Sequence, residues 1–181
     1  MDQGNKHYRR FLNGEESAFD DILSLYRFHL IYFLNRYVHN VAIAEDLAED
    51  TFLELLIHKQ RFHFQSSLKS YLFTIGRNKA LNYIKHSKIA YSRFAETIPV
   101  EQETIDLEEQ LLQKEKLGLL NLAMQELKEE YRIALHLIYF EEMSYEEAGK
   151  VMHKSRKQIE NYAYRARNAL KSILEQEGFQ E

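Results

Sequence analysis

Cysteine is absent from the 181-residue chain, and proline occurs only once. Without thiols neither a disulfide framework nor a thiolate zinc site can form, and nothing conflicts with a reducing cytoplasm. Glycine is also scarce, at six residues. Sheets need turns, and turns are made mostly with Gly, Pro, Asn and Asp, so this poverty points to an all-α chain of long helices. Long apolar runs are missing as well: FHLIYFL, Phe28 to Leu34, is far shorter than the roughly 18 residues of a membrane span. The polar start, MDQGNKHYRR, lacks the apolar core of a secretion signal. The expectation is a soluble cytoplasmic protein with no membrane insertion. One absence is local. No acidic residue occurs between Glu54 and Glu96, while Lys59, Arg61, Lys69, Arg77, Lys79, Lys85, Lys88 and Arg93 do. A net charge of -4 therefore hides a basic segment, and it does not argue against nucleic-acid binding.

What is present reads as two helical domains. Asn13-Gly14 ends a short opening helix. Phe19, Ile22, Leu23, Tyr26, Leu30, Phe33, Leu34 and Tyr37 then recur at helical spacing. From about Ile43 to Lys59, Leu47, Phe52, Leu55 and Leu56 form one face, with Glu45, Asp46, Glu49 and Asp50 clustered on the first half. RFHFQSSLKS reads as a loop in which Ser66 or Ser67 can cap the next helix. That helix places Leu72, Ile75, Gly76, Ala80 and Tyr83 inward and Thr74, Arg77, Asn78 and Lys85 outward. The first domain spans residues 1–94. An acidic linker, 95–106, holds the single proline and has no sustained period. The second domain spans 107–181. There Leu111, Leu112, Leu119, Leu120, Leu122, Ala123 and Leu127 carry one apolar pattern, and Ile133, Ala134, Leu137, Ile138 and Phe140 carry another.

Ser144 to Leu170 is the most informative stretch. Ser144 and Glu147 have the spacing of a capping box, which starts a short helix. Ser155 can cap a second helix, whose inward stripe is Ile159, Ala163, Ala166 and Leu170. Two short capped helices joined by a tight turn, the second longer and basic, make a helix-turn-helix. Gly149 fits a place where the two cross closely. Arg156, Lys157, Gln158, Glu160, Asn161, Tyr164 and Arg165 lie outside the stripe and suit phosphates and base edges. An amphipathic hairpin with a merely solvated basic face fits the same local pattern.

Over nearly its whole length the chain resembles bacterial RNA polymerase sigma factors of the extracytoplasmic-function group in the sigma-70 family. NGEESAFDDILSLY is similar to the family's opening. AEDLAEDTFLELL resembles its most characteristic helix, with Asp46, Leu47, Asp50, Phe52 and Leu53 at matching positions. SLKSYLFTIGRNKALNYIK resembles the promoter-melting helix, with Tyr71 and the Arg77-Asn78 pair in place. LKEEYRIALHLIYFEEMSYEEAGKVM followed by YRARNAL resembles the promoter-distal domain. Departures are His153-Lys154 in a turn where Gly is usual, Glu160 where Lys is frequent, and Glu49 where Gln is frequent.

The resemblance implies three surfaces. Asp46, Leu47, Glu49 and Asp50 would bind core RNA polymerase. Phe64, Ser70, Arg77, Asn78 and Lys85 would bind the minus-ten element, where a base leaves the stack as the duplex opens. Arg156, Lys157, Gln158, Asn161 and Arg165 would read the minus-thirty-five element in promoter DNA. An anti-sigma factor is a further partner at family level. For Phe62 and Phe73 plain core packing is the favoured reading. No catalytic role or cofactor is expected, since the eight histidines show no metal-ligand spacing and no phosphate loop or nucleophile elbow occurs. A stand-alone helix-turn-helix regulator is the alternative, and it predicts an upstream ligand-binding or phosphoacceptor domain of alternating strands and helices. A plain interaction bundle would leave the acid-free stretch and the capped pair as coincidences.

Overall fold

The computed structural model describes residues 3–93, 120 and 122–176, with side-chain surroundings given up to residue 87 in the first part. All regular structure among these residues is helical, and the chain divides into two compact units. The linker expected over 95–106 lies outside the described residues, as do Leu111, Leu112 and Leu119.

The N-terminal unit packs four helices: α1 (Gln3–Leu12), α2 (Ser17–Val38), α3 (Val41–Ile57) and α4 (Leu68–Arg93). A single 3-10 turn, Lys59–Arg61, leads into the loop before α4. His39 ends α2 in the left-handed region (φ 52°), and Asn40 opens α3 by accepting from the Ile43 N–H at 3.0 Å. Ile22, Leu30, Phe33, Leu34, Leu55, Leu68, Leu72 and Phe73 are fully buried between the helices. Phe33 and Phe73 pack with ring centroids 4.8 Å apart. At Gly76 a methyl group would come within 3.0 Å of Leu30, so the crossing of α2 and α4 is set by a residue without a side chain.

The C-terminal unit contains α5 (Glu129–Leu135), a π turn (His136–Phe140), α6 (Tyr145–Met152) and α7 (Arg156–Gln176). Met124, Leu127, Leu135 and Ala166 form a core cluster covered by Leu120, Tyr131, Ala169, Leu170 and Ile173. Four expected inward positions face solvent instead: Leu56, Tyr83, Leu122 and Phe140. The π turn explains Phe140, because its wider winding shifts the phase of the helix just before that residue. Leu56 lies in the unbroken apolar run Leu55, Leu56, Ile57, which is wider than one helical face can bury.

Candidate nucleic-acid and polymerase interfaces

The helix-turn-helix is built from two reciprocal caps. The Ser144 hydroxyl accepts from the Glu147 N–H at 3.2 Å, and the Glu147 carboxylate accepts from the Ser144 N–H at 3.0 Å. The second cap repeats this: Ser155 Oγ accepts from the Gln158 N–H at 3.3 Å, and Gln158 Oε1 accepts from the Ser155 N–H at 2.9 Å. Each such cap is worth on the order of 1 kcal/mol. Between them the Lys154 N–H donates to the Gly149 carbonyl at 2.9 Å, and His153 takes a left-handed φ of 54°. A β-carbon on Gly149 would lie 2.7 Å from the Lys154 carbonyl oxygen, closer than any side chain fits. The close crossing expected at Gly149 is therefore present, and His153 holds the strained position that glycine usually fills.

This geometry fixes the presentation of α7. Ile159, Ala163 and Ala166 are buried, while Lys157, Asn161, Tyr164 and Arg165 lie on the exposed side, three and four residues apart. Tyr164 is 60% exposed, an aromatic that the core does not use. Two expected readers are partly engaged within the protein. Gln158 uses its carbonyl oxygen in the cap and keeps only its amide donors for other work. Arg156 donates to Glu160 at 2.9 Å and lies 3.7 Å from Glu146. Glu160 thus offsets the charge of its neighbour at the start of α7.

In the N-terminal unit Glu45, Asp46, Glu49 and Asp50 are all exposed on α3, whereas Leu47 is buried and anchors the helix. Arg27 lies 3.6 Å from Glu49. The acidic face continues into apolar residues: Asp46, Asp50, Leu53 and Ile57 share one line along α3, with Leu53 at 54% and Ile57 at 65% exposure. Leu53 matches the family motif in sequence, and its place on the surface emerges only from the fold. The signal for it was the crowding of apolar residues after Thr51. Phe28 on α2 is 74% exposed and stacks on Tyr32.

The loop ahead of α4 carries an aromatic cluster. Phe62 is buried, as is Phe73, in line with core packing. Phe64 sits half-buried at a left-handed φ of 58°, which costs a residue with a β-carbon about 1–2 kcal/mol. Its ring lies 4.9 Å from Phe62, and the Arg9 guanidinium lies 4.1 Å above it. A cation over an aromatic face returns about 0.5–1 kcal/mol at an exposed site. Ser67 is the residue that caps α4, accepting from the Ser70 N–H at 3.2 Å and donating its hydroxyl to Ser70 Oγ at 2.9 Å. Ser70 is only 1% exposed, so it serves the cap and does not offer the surface contact that the resemblance implies. Asn78 and Lys85 are exposed, Arg77 is half-buried, and Lys79 pairs with Glu54 at 2.9 Å. Burial and, secondarily, Glu54 push the half-buried Tyr71 phenol up, keeping it neutral against Phe62. No acidic or histidine trio among the described residues is placed to hold a metal ion, and no helix among them is long and apolar enough to cross a membrane.

Comparison with known proteins finds two matching regions in the chain. Residues 22–88 match the model for Sigma-70 region 2, and residues 117–170 match that for Sigma-70, region 4, together about two thirds of the chain. The chain is 28% identical over 159 residues to the RNA polymerase sigma factor YlaC of Bacillus subtilis (strain 168), covering 87% of this chain and 92% of that one. It is 29% identical over 162 residues to the ECF RNA polymerase sigma factor SigM of the same organism, covering 85% and 93%. Among solved structures it resembles the sigma factor RpoE of Bartonella quintana in complex with the anti-sigma factor NepR. That match has a TM-score of 0.73 and 25% identity, and covers 87% of this chain and 96% of that one. Two ordered family regions, near-complete coverage of the relatives and the capped helix-turn-helix place the chain in the sigma-70 family of bacterial RNA polymerase sigma factors, extracytoplasmic-function group.

Proposed function

We propose that the chain acts as an initiation factor that recruits core RNA polymerase to promoter DNA and helps open it, the chemistry of RNA synthesis belonging to the polymerase. The observation that carries this reading is the pairing of two unlike surfaces on one chain: an acidic-to-apolar face on α3 and an exposed basic face on α7. Asp46, Glu49 and Asp50, extended by Leu53 and Ile57, form the polymerase-binding face, with the buried Leu47 holding it in place. Phe64, Arg77, Asn78 and Lys85 meet the minus-ten element in the acid-free segment. Lys157, Asn161 and Arg165 meet the minus-thirty-five element, joined by the amide donors of Gln158, by Tyr164, and by Arg156 once it leaves Glu160.

On this reading residues 1–94 form the region 2 domain, 95–106 the acidic linker and 107–181 the region 4 domain, and the protein works in the cytoplasm. The Bartonella relative's complex supports an anti-sigma protein as a further partner class. The test is co-elution of the purified chain with bacterial core RNA polymerase, followed by transcription from a pool of promoter fragments. Co-elution and selective transcription are expected. DNA binding without any association with core enzyme would favour a stand-alone helix-turn-helix regulator.

A further inference from the structure

Helix α1 lies before the residues that match region 2, yet three of its side chains act on the loop that carries Phe64. Asn5 uses both ends of its amide on the loop backbone: Oδ1 accepts from the Leu68 N–H at 2.8 Å, and Nδ2 donates to the Ser66 carbonyl at 3.2 Å. The fully buried Tyr8 donates to the Lys59 carbonyl at 2.9 Å and meets Phe62 edge-on at 5.5 Å. Arg9 covers Phe64. The helix is seated closely enough for this work, since a β-carbon on Gly4 would lie 2.0 Å from the Tyr26 hydroxyl. The loop is therefore held at both its ends and at its strained aromatic, from a helix more than fifty residues earlier in sequence.

We propose that α1 is a working part of the strand-opening site, with Asn5 and Arg9 as positioning residues that fix the loop between Phe62 and Leu68 and hold the Phe64 ring ready for an unpaired base. This rests on the reading that Phe64 meets such a base. The Phe64 backbone is strained and its ring is only half-buried, so its placement depends on the side chains around it: Phe62 at 4.9 Å, Tyr8 at 6.2 Å and Arg9. Arg9 steadies the ring by covering one of its two faces, and the two Asn5 bonds hold the loop backbone. Opening a duplex requires the receiving surface to be in place before the base arrives, so a loosened ring slows capture without changing attachment to polymerase.

The test uses holoenzyme reconstituted from the full chain and core polymerase on a promoter fragment selected from the pool. Unpaired thymines in the minus-ten region are read by permanganate reactivity, and core affinity is measured in parallel. Arg9→Ala, Asn5→Ala and Phe64→Ala are each expected to lower opening at least fivefold with core affinity within twofold of wild type. Arg9→Lys should recover part of the loss. Arg9→Ala combined with Phe64→Ala should be no worse than Phe64→Ala alone, because Arg9 acts through that ring. Normal opening in Arg9→Ala and Asn5→Ala, with Phe64→Ala defective, overturns the role of α1. Normal opening in Phe64→Ala removes the reading of the ring on which the proposal stands. A matching loss of core affinity in both α1 variants would reduce α1 to a support for the fold and also overturn the proposal.

Discussion

The C-terminal unit shows its candidate DNA readers on the outside of one helix, whereas the N-terminal unit keeps its candidate base receiver in a loop tied down from another helix. On α7, Lys157, Asn161 and Arg165 need only a rigid axis, which the Ile159, Ala163 and Ala166 stripe and the Ser155 cap supply locally. Phe64 needs more. Its strained backbone is balanced by contacts from Asn5 and Arg9, which folding alone brings near. On the proposed reading the difference follows from what each surface would receive, since a duplex groove accepts a preformed helix, while a flipped base needs a pocket assembled before it arrives.

The sharpest way to break this division is to remove the proposed polymerase face on α3, which should disable both units at once. Glu49→Lys with Asp50→Lys is expected to weaken core polymerase binding at least a hundredfold, about 2.7 kcal/mol, with helicity by circular dichroism unchanged. Retained binding would show that face to be only solvated. Next in size is Gly149→Ala, which forces a β-carbon against the Lys154 carbonyl. It should destabilise the C-terminal unit by about 2 kcal/mol in denaturant unfolding, and leave the N-terminal unit's transition in place. Replacing Lys157 and Arg165 with Ala should weaken promoter binding and flatten its salt dependence by about 0.9 in log-log slope for each phosphate no longer neutralised. An unchanged slope would take both residues off the DNA face.

The smallest effect concerns pH. Burial, and to a lesser degree Tyr71, pushes the Tyr8 phenol above its ordinary range, so the folded state favours the neutral form. That stabilisation is complete below the unfolded value near pH 10 and declines as pH rises beyond it. The melting temperature of the N-terminal unit should therefore fall more steeply above about pH 10 in wild type than in Tyr8→Phe.

Much of the C-terminal unit was legible because its determinants are local. Ser144 and Glu147, Ser155, and the stripe from Ile159 to Leu170 act within a few residues of one another. Even the second reciprocal cap is encoded in the spacing of Ser155 and Gln158, although the outward position of Gln158 points first to DNA. Phe140 escaped because a π turn changes the period that the pattern assumes. In the N-terminal unit the helices were legible, but Arg9 over Phe64 and Asn5 on Leu68 were not, since nothing in a local pattern encodes contacts that distant. Ser70 differs for another reason: the resemblance implies a contact with the minus-ten element, and in the structure the Ser67 cap takes up its hydroxyl.

The division of labour is tested most directly with two promoter fragments, one fully paired and one held open by mismatches across the minus-ten region. Complex formation by holoenzyme carrying Phe64→Ala is compared on both with holoenzyme carrying Lys157→Ala and Arg165→Ala. The account predicts that the rate of complex formation by Phe64→Ala returns to within about twofold of wild type on the open fragment, where no strand separation limits it, and that the α7 variant stays as slow as on the paired one. Equal rescue of both variants, or of neither, would contradict it.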